Sequence, residues 1–114
     1  MINQSTFEKE IKYYEMMDGK SPLQEWIHSL KDVQTVNKIR VRINRVRLGN
    51  LGHCDPVGQG IMELKIDYGP GYRVYFAQKG LSLVILLYGG DKSTQKRDIK
   101  IAQDYWEDYR GRYG

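Results

Sequence analysis

At 114 residues, with 40% hydrophobic content, the chain is long and apolar enough for one domain with its own core, which excludes a disordered chain. A single cysteine, Cys54, excludes an internal disulfide, and no apolar run approaches the roughly 20 residues of a membrane helix. The net charge of +4, from 18 Lys and Arg against 14 Asp and Glu, permits an anionic partner without demanding one.

The N-terminal stretch MINQSTFEKEIKYY lacks the apolar core of a signal peptide. With a lone thiol this fits a reducing cytoplasm. Phe7–Met16 alternates Phe7, Lys9, Ile11 and Tyr13 with Glu8, Glu10, Lys12 and Tyr14. That period predicts a first strand centred on Ile11–Glu15, joined to the later sheet. Met17–Lys20 is a turn.

Ser21-Pro22-Leu23-Gln24 starts a helix. Serine caps free amides, proline fits the first turn, and glutamine can reach back. Leu23, Trp26, Ile27 and Leu30 form one apolar stripe, and the helix ends near Ser29–Lys31. Asp32 caps a second helix over Val33–Leu48, with Val36, Ile39, Ile43 and Val46 as its buried stripe. Its remaining surface carries Lys38, Arg40, Arg42, Arg45 and Arg47, with no acidic residue after Asp32. Lys38, Arg42 and Arg45 share a face. A solvated surface, a contact to a phosphate backbone and a dock for an acidic protein patch are all open readings. Gly49 suits a left-handed cap, and His53–Gly60 reads as a loop. Cys54 lies in that loop with only His53 nearby to activate it, so it reads as a bystander.

Ile61–Ile66 alternates Met62, Leu64 and Ile66 with Ile61, Glu63 and Lys65, as a strand with one buried face does. Gly69-Pro70-Gly71 is a turn. Tyr72–Ala77 follows, with Tyr72, Val74 and Phe76 against Arg73, Tyr75 and Ala77. Leu81–Tyr88 is apolar on both faces, as a central strand is. Ser93 or Thr94 caps a last helix that reaches Tyr109 with Ile99, Ala102, Trp106 and Tyr109 inward, and Arg110–Gly114 is a frayed tail. The order β-α-α-β-β-β-α predicts an α+β layer fold, an antiparallel meander packed against helices. The helix pair should cover the sheet face opposite Glu63, Lys65 and Arg73. Those three, with Lys92 at the mouth, suit a phosphate; solubilising surface charge is the plain alternative.

Gly90-Asp91-Lys92-Ser93-Thr94 is not a P-loop, because Asp91 separates glycine from lysine and the leading glycine is missing. His28, His53 and Cys54 form no metal-ligand cluster.

Several stretches carry a family resemblance: Asp18–Pro22 with Trp26, Gly49-Asn50-Leu51-Gly52, Glu63–Asp67, Gly69–Tyr75, and Gly89–Gln95 with Asp98-Ile99. In this order, from about Tyr13 to Tyr109, the chain resembles the RelE/ParE toxin superfamily of bacterial type II toxin–antitoxin modules. Within it, the chain is similar to the HigB-like "addiction module killer protein" subgroup, also found in phage-derived genes. The resemblance implies that residues 1–114 are a single RelE-like toxin domain. It implies a metal-independent mRNA endonuclease that acts at the ribosome and blocks translation, needs no cofactor, and is neutralised by a cognate helix-turn-helix antitoxin. The family's strand arginine falls on Arg73, and its flanking basic residues fall on Lys65 and Lys92. The last-helix tyrosine of some RelE-like enzymes is not matched; Asp98 lies about there.

In such a nuclease the RNA 2′-hydroxyl attacks the adjacent phosphate, leaving a 2′,3′-cyclic phosphate and a 5′-hydroxyl. Arg73 would bind the extra negative charge and Lys92 the leaving oxygen. Lys65 is the candidate base, with Glu63 competing. Lys38, Arg42 and Arg45 would hold the RNA. The alternatives are a ParE-like inhibitor of DNA gyrase without nuclease activity and an inactive antitoxin-binding module.

Overall fold

The computed structural model describes residues 8–114. Phe7 and the rest of the N-terminal stretch lie outside the described residues. The elements are β1 (Glu10–Tyr13), α1 (Pro22–Ser29), α2 (Val33–Arg47), β2 (Cys54–Gly58), β3 (Ile61–Ile66), β4 (Tyr72–Lys79), β5 (Leu83–Asp91), a single 3-10 turn (Lys92–Thr94) and α3 (Gln95–Tyr113). The strands form one mixed sheet in the order β1-β5-β4-β3-β2. β1 runs parallel to β5, while β5–β4, β4–β3 and β3–β2 are antiparallel.

The strand β2 corrects the loop expected over His53–Gly60. Its sequence Cys-Asp-Pro-Val-Gly holds proline and glycine, both poor strand formers. Proline is tolerated because β2 is an edge strand and its register slips between Pro56 and Gly58. β1 is shorter and earlier than the strand expected around Ile11–Glu15.

Local chemistry sets the helix starts. The Ser21 hydroxyl accepts the Gln24 amide, and Asp32 accepts the Gln34 amide. At the end of α2, Gly49 takes φ +93°, and the Gly49 and Asn50 amides close on Val46 and Arg45 carbonyls. The last helix departs from expectation at both ends. Neither Ser93 nor Thr94 caps it by a side-chain bond to a backbone amide; Asp91 caps the 3-10 turn instead, accepting the Ser93 amide at 2.8 Å. Its C-terminal turn does not fray, because Arg112 bonds Asp108 and the Glu15 carbonyl, tying the helix to the end of β1.

Alternation along the strands divides the core in two. Leu64, Ile66, Val74, Phe76, Val84 and Leu86 meet Leu23, Ile27, Ile39, Ile43 and Val46 of α1 and α2. Ile61, Tyr75, Ala77, Ile85 and Leu87 meet Ala102, Trp106 and Tyr109 of α3. The helix pair therefore does lie opposite Glu63, Lys65 and Arg73. The face bearing those residues is not open, however: α3 packs across Tyr75, Ala77, Ile85 and Leu87, while the end of the sheet near the 67–71 turn stays uncovered.

α1 packs tightly on β5 at Gly89. A Cβ there would stand 2.5 Å from the Trp26 ring and 2.8 Å from Leu23 Cδ1. Gly89→Ala should cost about 1–3 kcal/mol through overpacking, read as a lower urea midpoint. On the opposite face of the sheet, burial and the hydrogen bond to Asp108 push the Tyr14 phenol up to about 12. A raised phenol stabilises the fold fully below its unfolded value near 10, and that contribution is lost as pH climbs to 12. Tyr14→Phe should flatten part of the alkaline loss of stability over that window. A residual slope will remain, because Tyr75 is raised in the same sense.

Candidate functional site

The antiparallel register sets Lys65 directly opposite Arg73. Like charges so placed repel. Each cation turns instead to a carboxylate on a neighbouring strand. Lys65 Nζ lies 3.0 Å from Asp55 Oδ2 on β2, and Arg73 Nε lies 3.7 Å from Glu63 Oε2 on β3. The Lys65 hydrogen bond holds the Asp55 carboxyl below the usual carboxylate range.

Glu63 is 1% exposed. Its Oε2 accepts the Tyr75 hydroxyl at 3.1 Å and the Gln95 side-chain amide at 2.7 Å. Burial first, and Glu63 second, raise the Tyr75 hydroxyl far above its ordinary value, so it remains a donor. Glu63 thus sits beneath Arg73 as a bound counter-ion, with α3 tied in through Gln95. Such a carboxylate is poorly placed to meet a substrate.

Arg73 is 8% exposed, and its Nη1 reaches the Tyr72 carbonyl at 3.4 Å. Among the described residues its Nε makes no hydrogen bond, only the 3.7 Å ion-pair contact. The guanidinium borders an open cleft of about 370 Å³, walled by the 67–71 turn and Lys92. Gly71, at φ +85°, lets the backbone lie close to Arg73; a Cβ there would stand 3.3 Å from Nη1. The Gly71 carbonyl accepts the Lys92 amide at 2.8 Å, which fixes Lys92 across the cleft.

A second cleft of about 380 Å³ lies between α2 and the end of β3, lined by Lys38, Val41, Arg42, Arg45, His53, Lys65, Ile66 and Asp67. The expected basic face divides here. Lys38 and Arg45 are exposed, but Arg42 is 7% exposed and lies under the 49–52 loop. Its Nη2 donates to the Leu51 carbonyl, its Nη1 has no partner among the described residues, and Gly52 leaves room for the guanidinium where a side chain would collide. Burial and the charge of Arg45 lower the Arg42 pKa. Among the described residues none of Lys38, Arg42 and Arg45 is in an ion pair.

The structure therefore brings Arg73 and Lys92 to one cleft and Lys65 to its neighbour, and buries Glu63 between strands. Asp98 is fully buried, accepting the Thr94 hydroxyl at 2.5 Å. Cys54 is half-buried in β2, its thiol pushed up by burial. No cluster of three or more His, Cys, Asp and Glu fit for a metal stands among the described residues.

Tyr75, Gln95 and Asp55 are participants that sequence reasoning missed. Tyr75 was accessible, because the Gly69–Gly71 turn already pairs it with Glu63; Asp55 and Gln95 were not.

Residues 25–107 match the family model described as Phage derived protein Gp49-like (DUF891). The chain belongs to this family. A Haemophilus influenzae protein designated "Uncharacterized protein" is 51% identical over 78 residues, which cover 68% of this chain and 79% of that protein. The Gp49-like span contains Lys38, Arg42, Arg45, Glu63, Lys65, Arg73 and Lys92.

Removing one partner of a buried ion pair leaves the other charge uncompensated. Glu63→Ala should cost about 3–5 kcal/mol in urea unfolding. Glu63→Gln should cost less, because the amide oxygen still accepts from Tyr75 and Gln95.

Proposed function

We propose that this Gp49-like protein is the toxin of a type II toxin–antitoxin module, a RelE/HigB-type endoribonuclease that cuts mRNA, acts at the ribosome and is held inactive by a cognate antitoxin. The observation that carries the reading is the convergence of Arg73 and Lys92 on one open cleft. The family match and the block-by-block resemblance to RelE/ParE toxins support it.

The cleft suits the charge-stabilising half of the reaction. As the 2′-oxygen bonds to phosphorus and the 5′-oxygen departs, negative charge grows on the phosphoryl oxygens. The Arg73 guanidinium, fixed by Glu63 below and Gly71 beside it, offers paired donors to that charge. Lys92 faces the departing oxygen and supplies its proton. Lys65, which lines the adjoining cleft, is the candidate to take the proton of the 2′-hydroxyl. The burial of Glu63 favours Lys65 over Glu63 in this role, with Glu63 orienting Arg73. Lys38 and Arg45 contact backbone phosphates, and Arg42 shapes the loop beside them.

One observation favours a second reading. Glu63 is buried and Lys65 is paired with Asp55, so neither base expected from the sequence is free, and the carboxylate that lines the Arg73 cleft is Asp67. A ParE-like inhibitor that binds gyrase, or a module that only docks its antitoxin, needs no base.

Induction without antitoxin, followed by primer extension on an abundant mRNA, separates these readings. The nuclease predicts growth arrest with in-frame cuts. Both should vanish in Arg73→Ala and fall at least about 100-fold in Arg73→Lys, which keeps a cation for Glu63 but loses the paired donors. Arrest with intact mRNA and broken DNA would transfer the assignment to gyrase.

A further inference from the structure

The two cationic clefts share Asp67 at the end of β3, and Tyr68 is the next residue. Its ring borders the Arg73 cleft, while Lys38 of the other cleft places its Nζ 5.4 Å from the ring centroid. The Tyr68 hydroxyl donates to Gln34 Oε1 of α2 at 2.9 Å. A half-buried aromatic ring is thus held in one orientation between two groups of cations. Lys38, Arg45 and Lys92 are all exposed and in no ion pair among the described residues. Single-stranded nucleic acid is bound by this combination: cations track the backbone, and an aromatic face takes a base between successive phosphates.

We propose that Tyr68 is a nucleobase-stacking residue, seating one base of a single RNA strand that crosses the 67–71 turn from the Lys38–Arg45 cleft to the Arg73–Lys92 cleft. The inference deepens the nuclease reading and rests on it for the choice of RNA. A strand so seated has one phosphate at Lys38 and Arg45, the stacked base at Tyr68, and the next phosphate at Arg73. Tyr68 touches neither the attacking nor the leaving oxygen, so it sets affinity and register, while Arg73 sets rate.

The test measures binding rather than cutting. Fluorescence anisotropy on the Arg73→Lys protein follows a single-stranded RNA 12-mer, the same 12-mer carrying abasic positions, and inorganic polyphosphate. Tyr68→Ala should weaken binding of the base-bearing 12-mer about ten- to a hundred-fold. It should leave polyphosphate and the abasic 12-mer within about two-fold, because the cations remain. Tyr68→Phe, which keeps the ring and loses only the tie to Gln34, should restore most of the loss. A merely structural tyrosine would weaken all three probes together, and that result overturns the proposal. Equal affinity of Tyr68→Ala and its parent for the 12-mer overturns it too, even where in-frame cutting by the wild type upholds the nuclease. The expected pattern in a protein that never cuts mRNA would uphold the stacking site and overturn the nuclease. No binding of any RNA would overturn the stacking site and leave the nuclease reading to the primer-extension result.

Discussion

Two cations facing each other across neighbouring antiparallel strands is the constraint on which the site depends. Lys65 and Arg73 are in register, so the hairpin that forms β3 and β4 brings them together whether or not the result is favourable. The sheet resolves the conflict diagonally, with Asp55 drawing Lys65 outward to the edge and Glu63 holding Arg73 inward. One cation is left partly exposed on a flexible stem, and the other is locked in a buried network. Preorganised charge acts more strongly than mobile charge because little reorientation is needed when a substrate's charge develops.

The buried network explains why α3 is integral to the site rather than a cover for the sheet. Gln95, the first residue of the helix, bonds Glu63, and Asp98 packs against Gly90 while accepting the Thr94 hydroxyl. Gly90 stands opposite Arg73 on β5, and a side chain there would collide with Asp98. The same glycine pair serves both faces, because Gly89 admits Trp26 of α1. Close approach of helices on both sides of β5 therefore fixes the end of the sheet where Arg73 and Lys92 meet. The fixed end and the open cleft are two results of one packing arrangement.

Much of this was legible from local chemistry. Period-two alternation located β3 and β4 and assigned Glu63, Lys65 and Arg73 to one face. Ser21 and Asp32 marked the two helix starts, and the apolar run expected over Leu81–Tyr88 marked a covered strand, although β5 spans Leu83–Asp91 and Leu81 is exposed outside it. What escaped depends on contacts between distant segments. β2 was hidden because proline and glycine mask an edge strand whose pairing comes from β3, not from its own propensity. With β2 missing, Asp55 could not be seen as the partner of Lys65. The polar face looked open because three charged side chains suggest solvent. Nothing in their spacing reveals that Tyr75 and Gln95 satisfy Glu63, so that α3 can cross the same face.

Arg42 shows how far a charge pattern can be taken. Spacing alone put it on one face with Lys38 and Arg45, and equal roles followed. In the fold, Arg42 turns under the Gly49–Gly52 loop, where Gly52 gives the guanidinium room and the Leu51 carbonyl receives it. The Gly-Asn-Leu-Gly stretch that carries part of the family resemblance therefore has a physical use: it folds over a buried cation. That cation is short of acceptors among the described residues, and burial first and Arg45 second lower its pKa. Its charge adds to that of Lys38 and Arg45 in the cleft that all three line. The cleft is thus charged from below as well as from its rim, beside the 67–71 turn that separates it from the Arg73 cleft.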